Sequence, residues 1–154
     1  MDIIDKVRQR KRYEMKMKKN KLIFLTIFVI YILIVLKLTI FRVNVHYDER
    51  QLNLTLFIDL INIYRHVGIG EFLRLFLGNI GWFIPFGFLL PVLLKKESLF
   101  KTMIMGIMFS LIIEMLQFVF YKGVAELDDV ILNALGTAFG YYIFKFYAGR
   151  FSPD

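Results

Sequence analysis

The sequence predicts an all-α membrane protein with four transmembrane helices, both termini in the cytoplasm and a short interfacial helix in the first outer loop. Three observations lead there. Four apolar runs are long enough to cross a bilayer, the cations cluster on one side of those runs, and polar residues recur at helical spacing inside two of them. Hydrophobic residues make up 58% of the 154 residues. Soluble domains average about 45–50% on a count that also includes glycine.

The first run covers 22–41 and is interrupted only by Lys37. Twenty residues at about 1.5 Å each match the ~30 Å hydrocarbon thickness. A secretory leader has an apolar region of only about 7–15 residues before a small-residue cleavage site, so this run reads as an uncleaved anchor. Lys37 is near enough to the outer end to extend its ammonium toward headgroups. Before the run, residues 1–21 carry nine cations against Asp2, Asp5 and Glu14, a net +6 of the chain's +7. That segment is a basic cytoplasmic tail facing anionic lipid, and 22–154 forms the transmembrane domain. No nucleic-acid-binding motif accompanies the charge.

Residues 42–71 are polar and mixed in charge. Phe57, Leu60, Ile61 and Tyr64 fall at helical spacing there, with Asp59, Asn62 and Arg65 off the stripe, which predicts the interfacial helix, with a solvent-facing loop containing some helix as the alternative. His46 and His66 read as solvated loop residues, and Arg65 and Arg74 as interfacial anchors. The second span, 72–94, contains Pro85 and Pro91. Neither proline can donate to the carbonyl four residues back, so a kink or local break is expected. Trp82 reads as a lipid-facing or packing residue. Spans three and four cover 102–121 and 129–147, joined by a turn at 122–128. The 95–101 loop holds Lys95, Lys96 and Lys101, and Lys145 and Arg150 fall on the same side as this loop and the tail. The positive-inside rule makes that side cytoplasmic.

Ser110, Glu114, Gln117 and Tyr121 are four, three and four residues apart and share one helix face with Gly106. Asp129, Asn133, Gly136 and Gly140 repeat that spacing in the fourth span. Gly106, Ser110, Gly136 and Gly140 suit close helix packing. A short turn makes the two helices an antiparallel hairpin, so the stripes are expected to face each other. On that arrangement Glu114 lies about 10 Å inside the outer end, with Gln117 and Asn133 both about 6 Å inside. Asn79 would be at similar depth and Asp128 and Asp129 at the mouth. Asn79, Glu114, Gln117, Asp128, Asp129 and Asn133 are therefore the ligand-binding candidates. Two other roles stay open: interhelical hydrogen bonding for the amides and Glu114, and capping of the fourth helix for the two aspartates.

Three stretches resemble the VanZ-like family of bacterial membrane proteins. Asn79-Ile-Gly-Trp-Phe-Ile-Pro-Phe-Gly-Phe-Leu-Leu-Pro91 is similar to its Asn…Phe-x-Pro-x-Gly-x-x-x-Pro segment. Ser110-Leu-Ile-Ile-Glu-Met-Leu-Gln117 is similar to its Ser-x-x-x-Glu-x-x-Gln helix. Asp128-Asp-Val-Ile-Leu-Asn-Ala-Leu-Gly136 with Gly140 is similar to its Asp-Asp-x-x-x-Asn-x-x-Gly-x-x-x-Gly ending. Upstream, Asn53-Leu-Thr-Leu-Phe57 lacks the proline that often stands in the family's Asn-Leu-x-Pro-Phe. The resemblance implies an association with low-level resistance to teicoplanin, a lipoglycopeptide antibiotic.

The sequence has no cysteine and two histidines, which excludes disulfides and thiolate chemistry and argues against a histidine-rich metal site. No cofactor or metal is expected. The leading reading is a non-enzymatic protein whose outer-leaflet polar site acts on envelope lipids, a lipid-linked cell-wall precursor or a lipid-anchored antibiotic. Two alternatives stand beside it: an enzyme modifying a lipid-linked headgroup through its carboxylates, and an assembly partner for another membrane protein or a second copy.

Overall fold

The computed structural model describes residues 3–40, 47–94 and 98–151. Expectations about His46, Lys95 and Lys96 lie outside the described residues. The elements are α1 (Ile3–Thr39), β1 (Gln51–Asn53), α2 (Ile58–His66), α3 (Ile69–Leu94), α4 (Leu99–Val119), β2 (Val124–Glu126) and α5 (Leu127–Phe151). The basic segment is helical and continuous with the first apolar run, since α1 starts at Ile3. Lys, Arg, Gln and Met are good helix formers, and the sequence has neither Gly nor Pro before Gly68 to stop the helix.

Among the described residues, three helical segments are long and apolar enough to cross a membrane: Asn20–Thr39, Ile69–Leu94 and Leu99–Val119. The expected fourth span is helical too, within the 25 residues of α5. One face carries exposed apolar side chains, Leu135, Phe139, Ile143 and Phe146. The opposite face carries buried Asn133, Gly136, Thr137 and Gly140. Across the long helices Leu33, Leu77, Met108, Met115 and Phe139 are all more than half exposed. An apolar exterior this extensive is that of a membrane protein.

Inside, Val35 of α1, Phe83, Phe86 and Leu90 of α3 and Ile113 of α4 form one buried cluster, with Phe28, Tyr31 and Phe109 packed on it. The Phe86 and Phe109 rings stack with centroids 5.2 Å apart. Tyr31 donates its hydroxyl to the Trp82 carbonyl at 2.6 Å, a bond near the point where Pro85 alters the hydrogen-bond ladder. Of the kink or local break expected at the prolines, the break does not occur, since α3 is one continuous helix through Pro85 and Pro91. Each proline removes a single donor, and α3 is held along its length by α1, α4 and α5.

The tightest packing is between α3 and α5. A Cβ placed on Gly87 would sit 2.0 Å from the Thr137 carbonyl oxygen, one on Gly136 2.1 Å from that of Ile80, and one on Gly140 2.1 Å from that of Ile84. This corrects the expected facing of the stripes. Gly106 does face α5, where its Cβ would meet the Thr137 hydroxyl at 2.5 Å, but Gly136 and Gly140 face α3. Glycines on one helix stripe signal close approach without naming the partner. Gly78 and Gly81 have open space where a Cβ would go.

Gly87→Ala and Gly136→Ala are therefore expected to lower the folded yield and thermal midpoint in detergent size exclusion, because backbone cannot move out of the way cheaply. Gly81→Ala should be neutral or stabilising by about 0.5–1 kcal/mol. Equal behaviour of the three variants would contradict this seating of α5 on α3.

Candidate functional site

The site is built by the way α4 ends. Its last turn closes with Lys122 N–H donating to the Gln117 carbonyl at 2.9 Å, and Tyr121 takes a left-handed φ of 58°. This is the pattern that usually places glycine after a helix. Tyr121 therefore leaves the polar stripe on which the spacing placed it. Arg50 lies over the Phe118 and Tyr121 rings, 5.6 and 5.4 Å from their centroids, and Tyr47 N–H donates to the Tyr121 carbonyl at 3.0 Å. From that reversal the chain returns along α4 as β2, which pairs in parallel with β1, Leu52 opposite Ala125.

The returning strand brings Glu126 N–H to Glu114 Oε2 at 2.9 Å. α5 then starts beside Glu114 instead of level with the end of α4. The expected depths shift accordingly. Asn133 does not lie level with Gln117 but donates to Ser110 Oγ at 2.8 Å, seven residues and about 10 Å further along α4. Asn133 and Ser110 are 6% and 0% exposed, and Thr137 donates to the Asn133 carbonyl at 3.0 Å. This pair is an interhelical hydrogen bond.

Nearer the end of the bundle, Asn79 of α3 donates through Nδ2 to Asp129 of α5. Gln117 donates through Nε2 to the Thr39 carbonyl of α1 at 3.4 Å. Asp128 is 2% exposed, and both its oxygens accept from Phe57 N–H at 2.9 Å. It fastens the start of α2 and does not line the cavities described next. Phe57 has φ 57°, a conformation that costs a side-chain-bearing residue about 1–2 kcal/mol. Asn53 supports the same corner, its Oδ1 accepting from Thr55 N–H at 3.0 Å and its Nδ2 donating to Asp59 at 2.6 Å.

A cavity of about 70 Å³ brings together Asn79, Glu114, Gln117, Asp129, Asn133 and Trp82. A second, of about 270 Å³, shares Asn79, Gln117 and Asp129 and adds Asp59, Lys122 and Glu126. Five of the six sequence-predicted ligand candidates thus converge. Glu126 and Asp59 are the residues that spacing missed. Glu126 falls in the segment read as a turn, and Asp59 on the polar side of a helix read as lying on the surface. The run of acids at Glu126, Asp128 and Asp129 was the available signal. Burial, then the charges of Asp129, Asp59 and Asp128, push the Glu126 carboxyl up to about 7. Among the described residues no three His, Cys, Asp or Glu side chains are grouped to hold a metal ion.

An apolar helical exterior around buried amides and carboxylates defines a membrane protein with a polar site inside its bundle. The VanZ/LLP1 family model matches residues 28–148, and the chain belongs to this family. It is similar to Protein VanZ of Enterococcus faecium, 35% identical over 95 residues, which are 62% of this chain and 53% of that protein. The match thus spans about half the length of that curated relative. No solved structure matches the chain. The three stretches that resemble the family meet in space: Asn79 with Asp129, Ser110 with Asn133, and Gly87 against Thr137.

Two outcomes follow. Limited proteolysis of the 47–57 segment should speed up in Asp128→Ala and less in Asp128→Asn, which keeps one acceptor; a hydrogen bond to a charged group is worth about 1.5–3 kcal/mol. Equal rates for parent and both variants would remove Asp128 from this role. For Glu126, an acid raised in the folded state binds its proton more tightly folded than unfolded, so stability falls as pH rises. The thermal midpoint should decline between its ordinary 4.5 and about 7, and Glu126→Gln should flatten that decline; an unchanged slope in the variant would contradict the assignment.

Proposed function

We propose that this chain is a four-span protein of the cell membrane, both termini cytoplasmic, whose polar cavities open toward the outer leaflet and engage headgroups there, contributing to glycopeptide resistance of the teicoplanin type. The observation that carries the reading is the position of the cavities, at one end of a bundle whose outside is apolar. Four crossings are supported by the exposed Leu135, Phe139, Ile143 and Phe146 of α5, which suit lipid contact. They are supported also by the shared end of the helices. The C-terminal ends of α1 and α4 meet through Gln117 and Thr39, and the start of α5 meets Glu114 of α4. The basic start of α1 and Lys101 then fall at the other end, which the positive-inside rule assigns to the cytoplasm.

Cavity size favours a headgroup over a whole antibiotic. Sites for drug-sized ligands have about 300–1,000 Å³, whereas the larger cavity has about 270 Å³. Action on envelope lipid, with resistance as its consequence, therefore fits better than direct capture of a glycopeptide.

The test is susceptibility to teicoplanin and vancomycin in a deletion strain carrying the parent, Asn79→Ala or Glu114→Ala, with membrane insertion measured in parallel. The parent should protect, and the inserted variants should lose most of that protection. Full protection by both variants would reduce the cluster to helix packing.

A further inference from the structure

The exposed apolar surface is not confined to the long helices. It extends over the segment built from β1, α2 and β2, which covers the cavity end of the bundle. On α2, Ile61 and Tyr64 are three residues apart and share one exposed flank, while Arg65 and His66, three and four residues after Asn62, share another with it. The Tyr64 ring meets Phe72 of α3 edge-on, centroids 5.8 Å apart. Val67, 68% exposed, and Ile69 form the corner between the two helices, and Leu73 and Leu77 continue from Ile69 at four-residue intervals, exposed along α3. A second patch is an open groove of about 100 Å³ between the strands and the α4–α5 pair, walled by Leu52, Leu54, Leu111, Leu127 and Val130. Leu111 lies on one stripe of α4 with the exposed Met108 and Met115. Both patches therefore merge with the outside of a long apolar helix. Large exposed apolar patches mark interaction surfaces. A site for a protein partner is bounded by a polar rim, whereas these patches run on into the apolar exterior of the bundle. Tyr64 and Arg65 are residue types that settle where acyl chains meet headgroups.

We propose that this cover is immersed in the outer leaflet instead of standing above it in water, with acyl chains packed against Ile61, Tyr64 and Val67 and lying in the groove lined by Leu52 and Leu54. The assignment deepens the outer-leaflet reading and rests on it for the choice of leaflet; the contact with lipid does not depend on that choice. The two exposed flanks of α2 then sort by medium, Ile61 and Tyr64 toward chains, and Asn62, Arg65 and His66 toward headgroups and water. A helix in this setting is sunk about 5–10 Å into the boundary between headgroups and chains. α2 also contributes Asp59, Leu60 and Ile63 to the wall of the larger cavity. One short helix thus touches chains on its outside and walls the polar cavity on its inside, which sets the cavity at the level of the headgroups. A lipid headgroup reaches that level while its chains stay in the leaflet.

The experiment is depth-resolved fluorescence quenching of the full chain in phosphatidylcholine vesicles. Trp82 is the chain's one tryptophan, so Trp82→Phe gives a dark background into which Leu54→Trp, Tyr64→Trp or Asn62→Trp is placed. All three positions are exposed, which keeps the replacements out of the packed interior. The quenchers are phosphatidylcholine brominated high on its chains, the same lipid brominated near the chain ends, and iodide on both sides of the membrane. Leu54→Trp and Tyr64→Trp should lose most of their emission to the high bromines, less to the low ones and little to iodide. Asn62→Trp, on the polar flank, should be quenched by iodide more than by either bromolipid. Iodide quenching of Leu54→Trp and Tyr64→Trp without bromolipid quenching puts the cover in water and overturns the proposal. Shielding of both from all three quenchers, relieved as protein is diluted in lipid, also overturns it and makes the surface an interface with a second copy. Either failure leaves the resistance reading standing, since the measurement involves no antibiotic and no sidedness. Full protection from teicoplanin by the cavity variants, in turn, would leave the lipid contact intact.

Discussion

The backbone contact between α3 and α5 is the constraint from which the rest of the structure follows. Gly87, Gly136 and Gly140 remove the Cβ at three points of the crossing, so carbonyl groups of one helix lie where side chains of the other would be. Without a hydrophobic driving force between helices in lipid, such close packing is a main source of association. It also fixes the rotation of α5. With Gly136 and Gly140 against α3, Asp129 is brought to Asn79, and Asn133 turns toward Ser110 of α4. A rotation of α5 large enough to admit side chains at the crossing would separate both polar pairs.

The second constraint is the cover over the open end. Among the described residues, two adopt left-handed backbone without being glycine, Phe57 and Tyr121. Each costs about 1–2 kcal/mol, and each has an identifiable compensation. Phe57 donates to a buried carboxylate, a bond worth about 1.5–3 kcal/mol, and Tyr121 closes the end of α4 while packing under the Arg50 guanidinium. The two corners hold β1 and β2 side by side, and their pairing presents Glu126 to the cavities. The cover and the bundle are thus joined through α5, where Asp128 holds α2 and the next residue, Asp129, reaches α3.

Much of this was legible in the sequence. The apolar runs gave the long helices, and the three-and-four spacing of Ser110, Glu114 and Gln117 gave one buried face, all three being buried. Asn79, Glu114, Gln117, Asp129 and Asn133 line one cavity, with Asn133 further along α4 than its spacing implied. What spacing could not give was relative placement. A glycine stripe reports that something approaches closely, and only the fold reports that Gly136 meets Ile80 of α3. The depth of Asn133 depended on the chain turning back after Val119, and the residue that turns it is a tyrosine with no sequence mark of a left-handed conformation. Strands of three residues are too short for alternation to show, so the Gln51–Asn53 and Val124–Glu126 pair was invisible. Pro85 and Pro91 indicated a break that packing on three sides prevents.

The account stands on a polar cavity reached from outside the cell, with the loop before α4 on the opposite side. The absence of cysteine allows single-cysteine labelling of the full chain in intact cells with a membrane-impermeant maleimide. Glu126→Cys should label from outside without permeabilisation, whereas Lys101→Cys should label only after the membrane is opened. Outside labelling of Lys101→Cys, or protection of Glu126→Cys until permeabilisation, would contradict the account.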